Sequence, residues 1–178
     1  MLETDRAVLV VVDMQVKLLA VMHQRQRLLD SAARLIRGMT ALEVPILWTE
    51  QNPAGLGPTA PELASLLPPA AIPKLAFSCW GEAAFRDALQ RLGRRQVVLA
   101  GMESHVCVCQ TALDLLQASY EVHVATDAVS SRTAENRQVG LDRAAAAGAV
   151  LTSTEAALFE LLRVAQGPKF KAVLKIVR

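Results

Sequence analysis

Aromatic residues are scarce in this chain. They make up 4% of its 178 residues, and only one is a tyrosine. Basic residues are spread out, as at Arg25, Arg37, Arg94 and Arg143, and the net charge is only +2. A nucleic-acid site needs a basic stripe interleaved with aromatics, so no nucleic-acid partner is expected. Long apolar runs are missing too. Ala7–Val12 falls well short of the roughly 20 apolar residues that span a bilayer. Glu3 and Asp5 precede that run, unlike the start of a secretory leader, so no membrane partner is expected. The basic tail KFKAVLKIVR reads as a last amphipathic helix with a solvated face. Cysteines number three, Cys79, Cys107 and Cys109. An odd count with no zinc or disulfide spacing predicts a reducing, cytoplasmic setting. No internal repeat or low-complexity tract occurs. Apolar residues, in contrast, make up 52% of the chain. That excludes disorder and is enough to bury the core of a single domain over residues 1–178.

Strand and helix signals alternate along the sequence. RAVLVVVD, Arg6–Asp13, is a β-branched run read as a central parallel strand buried on both faces. Arg25–Leu42 has helical spacing, and Pro45–Thr49 is a second strand. EQNPAGLGPTAPEL is a long shaped loop, rich in Gly and Pro. A short third strand lies near Ile72 and a helix spans Gly81–Leu92. Gln96–Gly101 is the fourth strand, His105–Leu116 a helix, and Glu121–Thr126 the fifth strand. Thr133–Ala147 is helical and Ala149–Thr152 is the sixth strand. Ser153 or Thr154 can cap a helix running to about Arg163. This alternation predicts an α/β fold: three layers, with helices on both faces of a six-stranded, mostly parallel, doubly wound sheet of order 3-2-1-4-5-6. In that order strands 1 and 4 are neighbours, and ligands bind at their carboxyl ends.

Asp13 ends strand 1 and Cys107 follows strand 4, so the topology brings both into one crevice. A thiol in the first turn of a helix faces free N–H groups and the positive end of the dipole, which favour the thiolate. The alternative is a small apolar residue packed in the helix. Asp13 is either a helix N-cap or a proton shuttle for the thiol. Lys74, in AAIPKLAFS, is either solvated or reaches inward to hold Asp13 and stabilise a thiolate. His105 lies two residues before Cys107, a spacing that does not share a helix face, so a pocket-edge or capping role fits it better than that of a base. Gln15 and Trp80 are candidates for the substrate pocket, or for solvation and packing respectively. Cys79 and Cys109 are read as packing residues.

Together VVVDMQ, IPKLAFS and LAGMESHVCV resemble the motifs of the isochorismatase-like cysteine hydrolases. The likeness runs on through WTEQNPAGLGPT and ATDAVSSR, and E-x-H-V-C-V with the basic C-terminal helix is most similar to the isochorismatase domain-containing group. It implies a catalytic triad of Asp13, Lys74 and Cys107. It also implies a cis peptide between Met102 and Glu103, and an oxyanion hole formed by the Glu103 and Cys107 N–H groups. WTEQNPAGLGPT lacks the histidines of the nicotinamidase metal site, so neither metal nor cofactor is expected. The expected activity is a metal-independent cysteine hydrolase, an amidase that cleaves a small amide or related acyl compound through a Cys107 thioester. The resemblance and the apolar composition suggest a homo-oligomer, a dimer or tetramer. The alternative is a catalytically silent or thiol-redox protein on the same fold.

Overall fold

The computed structural model describes residues 1–178. The first strand, β1 (Ala7–Val12), is buried along its whole length. Successive side chains of a strand point to opposite faces, and β1 feeds both halves of the core. Leu9 and Val11 pack into one apolar cluster, and Val8, Val10 and Val12 into the other. β1 pairs in parallel with β2 (Ile46–Gln51) and with β4 (Gln96–Met102). Beyond them lie β3 (Ile72–Lys74) on one side, and β5 (Glu121–Ser130) and β6 (Val150–Thr152) on the other. The sheet is all-parallel, in the order β3-β2-β1-β4-β5-β6.

Helices cover both faces, as a parallel sheet requires. The Leu9 side is covered by α2 (Arg25–Ala41) through Leu35, Ile36 and Met39. It is also covered by α8 (Thr154–Leu162) through Leu158, and by the tail helix α9 (Gly167–Val177) through Val173. The Val10 side is covered by α5 (Ala83–Leu92), α6 (Cys109–Gln117) and α7 (Ala134–Ala146), through Phe85, Leu115 and Leu141. Side-chain caps start two of these helices. Thr133 accepts from the Asn136 N–H, and Ser153 accepts from the Ala156 N–H, each satisfying an otherwise unpaired donor.

Three places differ from the sequence expectation. The helix expected over His105–Leu116 is one turn of π-helix, Ser104–Val108, followed by α6. The fifth strand runs past Thr126 to Ser130. Its register with β4 shifts, Leu99 pairing with Val124 but Gly101 with Val129. The polar Thr126–Asp127 pair interrupts the apolar run there, so periodicity alone ends the strand too early. The long Gly/Pro loop holds two single-turn helices, α3 (Pro53–Leu56) and α4 (Pro61–Ala64), each begun by a proline, whose fixed φ suits a first helical position. A third single turn, α1 (Val16–Leu19), follows Asp13.

Candidate active site

Asp13 leaves β1 with φ +53°, in the left-handed region. Its side chain is fully buried. Its N–H donates to Thr49 O at 3.2 Å, and the Thr49 hydroxyl donates to its Oδ1 at 2.7 Å. Asp13 is not a helix cap, since that position before α1 belongs to Gln15. Lys74 ends β3, in register with Gln51 of β2. The lysine turns inward, and its Nζ lies 2.7 Å from Asp13 Oδ2 with both side chains shut off from solvent. An ammonium has three protons, and Lys74 has three further acceptors: Gln51 Oε1 at 2.5 Å, Phe77 O at 2.9 Å and Ala76 O at 3.1 Å. The ammonium is thus shared between these three acceptors and the ion pair with Oδ2. Removing one member of such a pair leaves an unpaired buried charge, which costs about 3–5 kcal/mol.

Burial raises the Asp13 pKa above the usual carboxylate range, and the Lys74 charge offsets only part of that rise. For Lys74, burial pulls downward, but the Asp13 charge and the neighbouring thiols outweigh it, so the ammonium holds its proton more firmly than usual. Cys107 neighbours the same carboxyl and is 6% exposed. Burial and the Asp13 charge push its thiol up to about 12, with Lys74 pulling the other way. The pull toward the thiolate expected from a helix start is thus opposed by burial and the neighbouring carboxylate. The π-turn replaces the first turn of an α-helix, and a low-dielectric site beside a carboxylate favours the neutral thiol.

The turn that carries Cys107 is fixed from several sides. The Met102–Glu103 peptide is cis. Gly101 has φ +125°, and a Cβ there would stand 2.1 Å from Val12 O, so only glycine lets β4 pass β1 this closely. Gly140 of α7 packs on the turn itself, where a Cβ would lie 2.2 Å from Ser104 O. The Ser104 and Ser131 hydroxyls meet at 2.6 Å, and His105 Nδ1 lies 2.9 Å from the same Ser131 oxygen. His105 is thus tied to β5's end rather than to Cys107. The Glu103 side chain accepts from Arg132 Nε at 2.8 Å.

The remaining candidates are distributed as follows. Gln15 is buried, and its amide donates to Gln51 O and Gly57 O while accepting from the Gln51 N–H. Both of its amide protons clamp the chain around the end of β2, and one lone pair of Oε1 is left over. Trp80 turns its ring to Tyr120, centroids 5.6 Å apart, and lines a cleft with Gly93 and Arg95 in which no triad residue takes part. Cys109 is buried in α6. Cys79 is buried as expected, yet its sulfur sits 3.7 Å from the Thr49 hydroxyl, at the edge of the charge cluster. Burial there pushes its thiol up to about 11. Sequence reasoning missed Thr49 and Gln51, the two side chains that hold Asp13 and Lys74. Their roles depend on the β1–β2–β3 register, and their only sequence signal is a place near the end of β2. No group of three His, Cys, Asp or Glu side chains has metal-binding geometry. No helix is long and apolar enough to cross a membrane.

Comparison with known proteins decides the family. The sequence profile of the Isochorismatase domain matches residues 7–156. The chain belongs to the isochorismatase family. Isochorismatase domain-containing protein 2 of Danio rerio is 39% identical over 99% of this chain and 89% of its own length. The Bos taurus protein of the same name is 41% identical over 93% and 80%. Among solved structures, the MAR1 ribonuclease of Caenorhabditis elegans superposes with a TM-score of 0.92 at 35% identity, over 99% of this chain and 91% of that one. The YcaC gene product of Escherichia coli, an octameric hydrolase of unknown specificity, superposes at 0.93 with 26% identity, over 98% and 88%. YcaC of Pseudomonas aeruginosa, with hexane-2,5-diol and covalent acrylamide, superposes at 0.92 with 26% identity, over 98% and 90%. Membership in this family makes the chain an isochorismatase-like hydrolase.

Proposed function

We propose that the protein is a metal-independent cysteine hydrolase that cleaves the C–N bond of a small amide, or a related acyl bond, through a thioester on Cys107. The observation that carries this reading is the buried carboxylate of Asp13, held 2.7 Å from Lys74, beside a buried thiol. Because the resting thiol is neutral, proton transfer to Asp13 accompanies attack. The sulfur bonds to the carbonyl carbon, and the Glu103 and Cys107 N–H groups receive the negative oxygen. Collapse breaks the C–N bond, and the departing nitrogen takes the proton from Asp13. Water then gives a proton to Asp13 and attacks the thioester, releasing the acid and restoring the thiol. Lys74 keeps its charge throughout and eases ionisation of the sulfur.

The covalent acrylamide on the Pseudomonas aeruginosa YcaC structure supports a nucleophile on this fold that bonds a small amide-bearing electrophile. A thiol-redox role fits less well, since oxidation proceeds through the thiolate and both Cys79 and Cys107 are held neutral. The ribonuclease name of the Caenorhabditis elegans relative suggests RNA as a substrate. The scattered basic residues and net charge of +2 give little support for it in this chain.

The test is ammonia release from a panel of small primary amides, read beside the intact mass of the protein. Wild type is expected to turn over at least one amide, unaffected by EDTA, and to show an acyl adduct. Cys107→Ser is expected to show neither. Full turnover in Cys107→Ser, or its abolition by EDTA, would overturn the mechanism.

A further inference from the structure

We propose that a small polar cavity where the starts of α2 and α7 meet is a binding site for the carboxylate of a short organic acid. The cavity holds about 200 Å³, and its charged lining is Arg27, Arg137 and Asp127. Arg137 Nε donates to Val129 O at 3.1 Å and its Nη2 donates to Thr126 O, which fixes the guanidinium plane in the cavity wall. Its other N–H groups make no protein contact. Arg27 has one loose contact, 3.4 Å to Gln24 Oε1. Burial and the nearby Arg27 charge together lower the Arg137 pKa, so the two cations oppose each other across the space.

The one carboxylate in the lining does not resolve that conflict. Asp127 Oδ1 is taken by the Thr154 N–H at 2.8 Å and the Thr154 hydroxyl at 3.1 Å. Two guanidiniums against one carboxylate leave a single positive charge unmatched. A planar carboxylate suits the forked N–H groups of arginine and carries that one charge. A dianion would meet the repulsion of Asp127. His23, Gln24, Ser130 and Ala134 also line the cavity, while Leu28 and Val129 are almost fully buried behind it, so the wall is mostly polar and suits an acid whose carbon chain is short. None of these residues belongs to the triad, so the inference stands apart from the hydrolase mechanism.

The test is calorimetric titration of the full chain with propionate at pH 7, with ionic strength fixed by chloride and circular dichroism confirming the fold of each variant. Wild type is expected to bind one propionate per chain, and inorganic phosphate more weakly. Arg27 is exposed, and Arg27→Gln is expected to weaken binding about tenfold, the usual scale for a lost charge-assisted hydrogen bond. Asp127→Asn keeps an acceptor for Thr154 and is expected to tighten binding. Absence of saturation, phosphate binding as tight as propionate, an Arg27→Gln variant that binds like wild type, or an Asp127→Asn variant that binds more weakly would each overturn the proposal.

Discussion

Asp13 and Lys74 act on Cys107 with opposite signs. The carboxylate raises the thiol's pKa and the ammonium lowers it. Asp13→Asn therefore raises the thiolate fraction near pH 9 even as it removes the base. The expected outcome is faster alkylation of Cys107 by iodoacetamide together with a fall in amide turnover. Lys74→Met is expected to slow alkylation and turnover alike. Rates mapped by mass spectrometry check both, and acceleration in Lys74→Met would contradict the geometry. A packed cysteine with no coupled neighbours would give the same rate in all three proteins. Asp13 was legible in sequence because it ends an apolar strand and Cys107 because it follows another, whereas Lys74 was legible chiefly through the resemblance of IPKLAFS to a family motif. The state of the thiol was not, because it depends on burial and on the π-turn.

At the level of elements, the turn that carries Cys107 owes its position to a close approach by α7. A Cβ on Gly140 would overlap Ser104 O at 2.2 Å and His105 N at 2.6 Å, both backbone atoms that cannot rotate away. Gly140→Ala is expected to push α7 outward, to cost about 1–3 kcal/mol of stability as overpacking does, and to lower turnover. Denaturant unfolding and kinetics check this. On β5, His123 is buried with Nδ1 unpaired, and burial lowers its pKa. The unfolded chain then binds its proton more readily, near the ordinary histidine value of about 6.5. Stability from this group is present above that value and is lost as pH falls toward the depressed folded value. Melting temperatures are expected to drop from pH 7 to pH 5 in wild type and to drop less in His123→Leu; equal slopes would exclude His123 as the cause. Single-turn helices such as α1, α3 and α4 left no periodic signal in the sequence, since four residues barely complete one turn. The strands did, because every connection but that between β2 and β3 contains a longer helix that sets the apolar runs apart.

Over the whole molecule, the strand order puts the ends of β1, β2 and β3 side by side, each supplying part of one charge cluster, and β4 leads into the turn that carries Cys107. The order itself followed from alternation and the handedness of crossovers. The contribution of Gln51 did not, since it requires knowing which residue of β2 faces Lys74. Leu75 and Phe77, on the chain just after Lys74, are 76% and 56% exposed. Such exposed apolar side chains side by side lead to the expectation that another copy of the chain covers them. Light scattering is expected to give a multiple of 19.2 kDa, and Phe77→Lys is expected to shift it toward the single chain. A wild-type protein of 19.2 kDa would refute the assembly.

Lys74 also fastens its own segment. Two of its three protons go to Ala76 O and Phe77 O, so the chain closes into a small ring through its own side chain. The conformation of this segment and the charge beside Asp13 are thus one variable rather than two. Neutralising the lysine would loosen the clasp that shapes residues 75–77, and that segment could not be remodelled without disturbing the charge. Evolution toward new substrates on this scaffold has therefore to proceed through other walls of the crevice, leaving the clasp untouched.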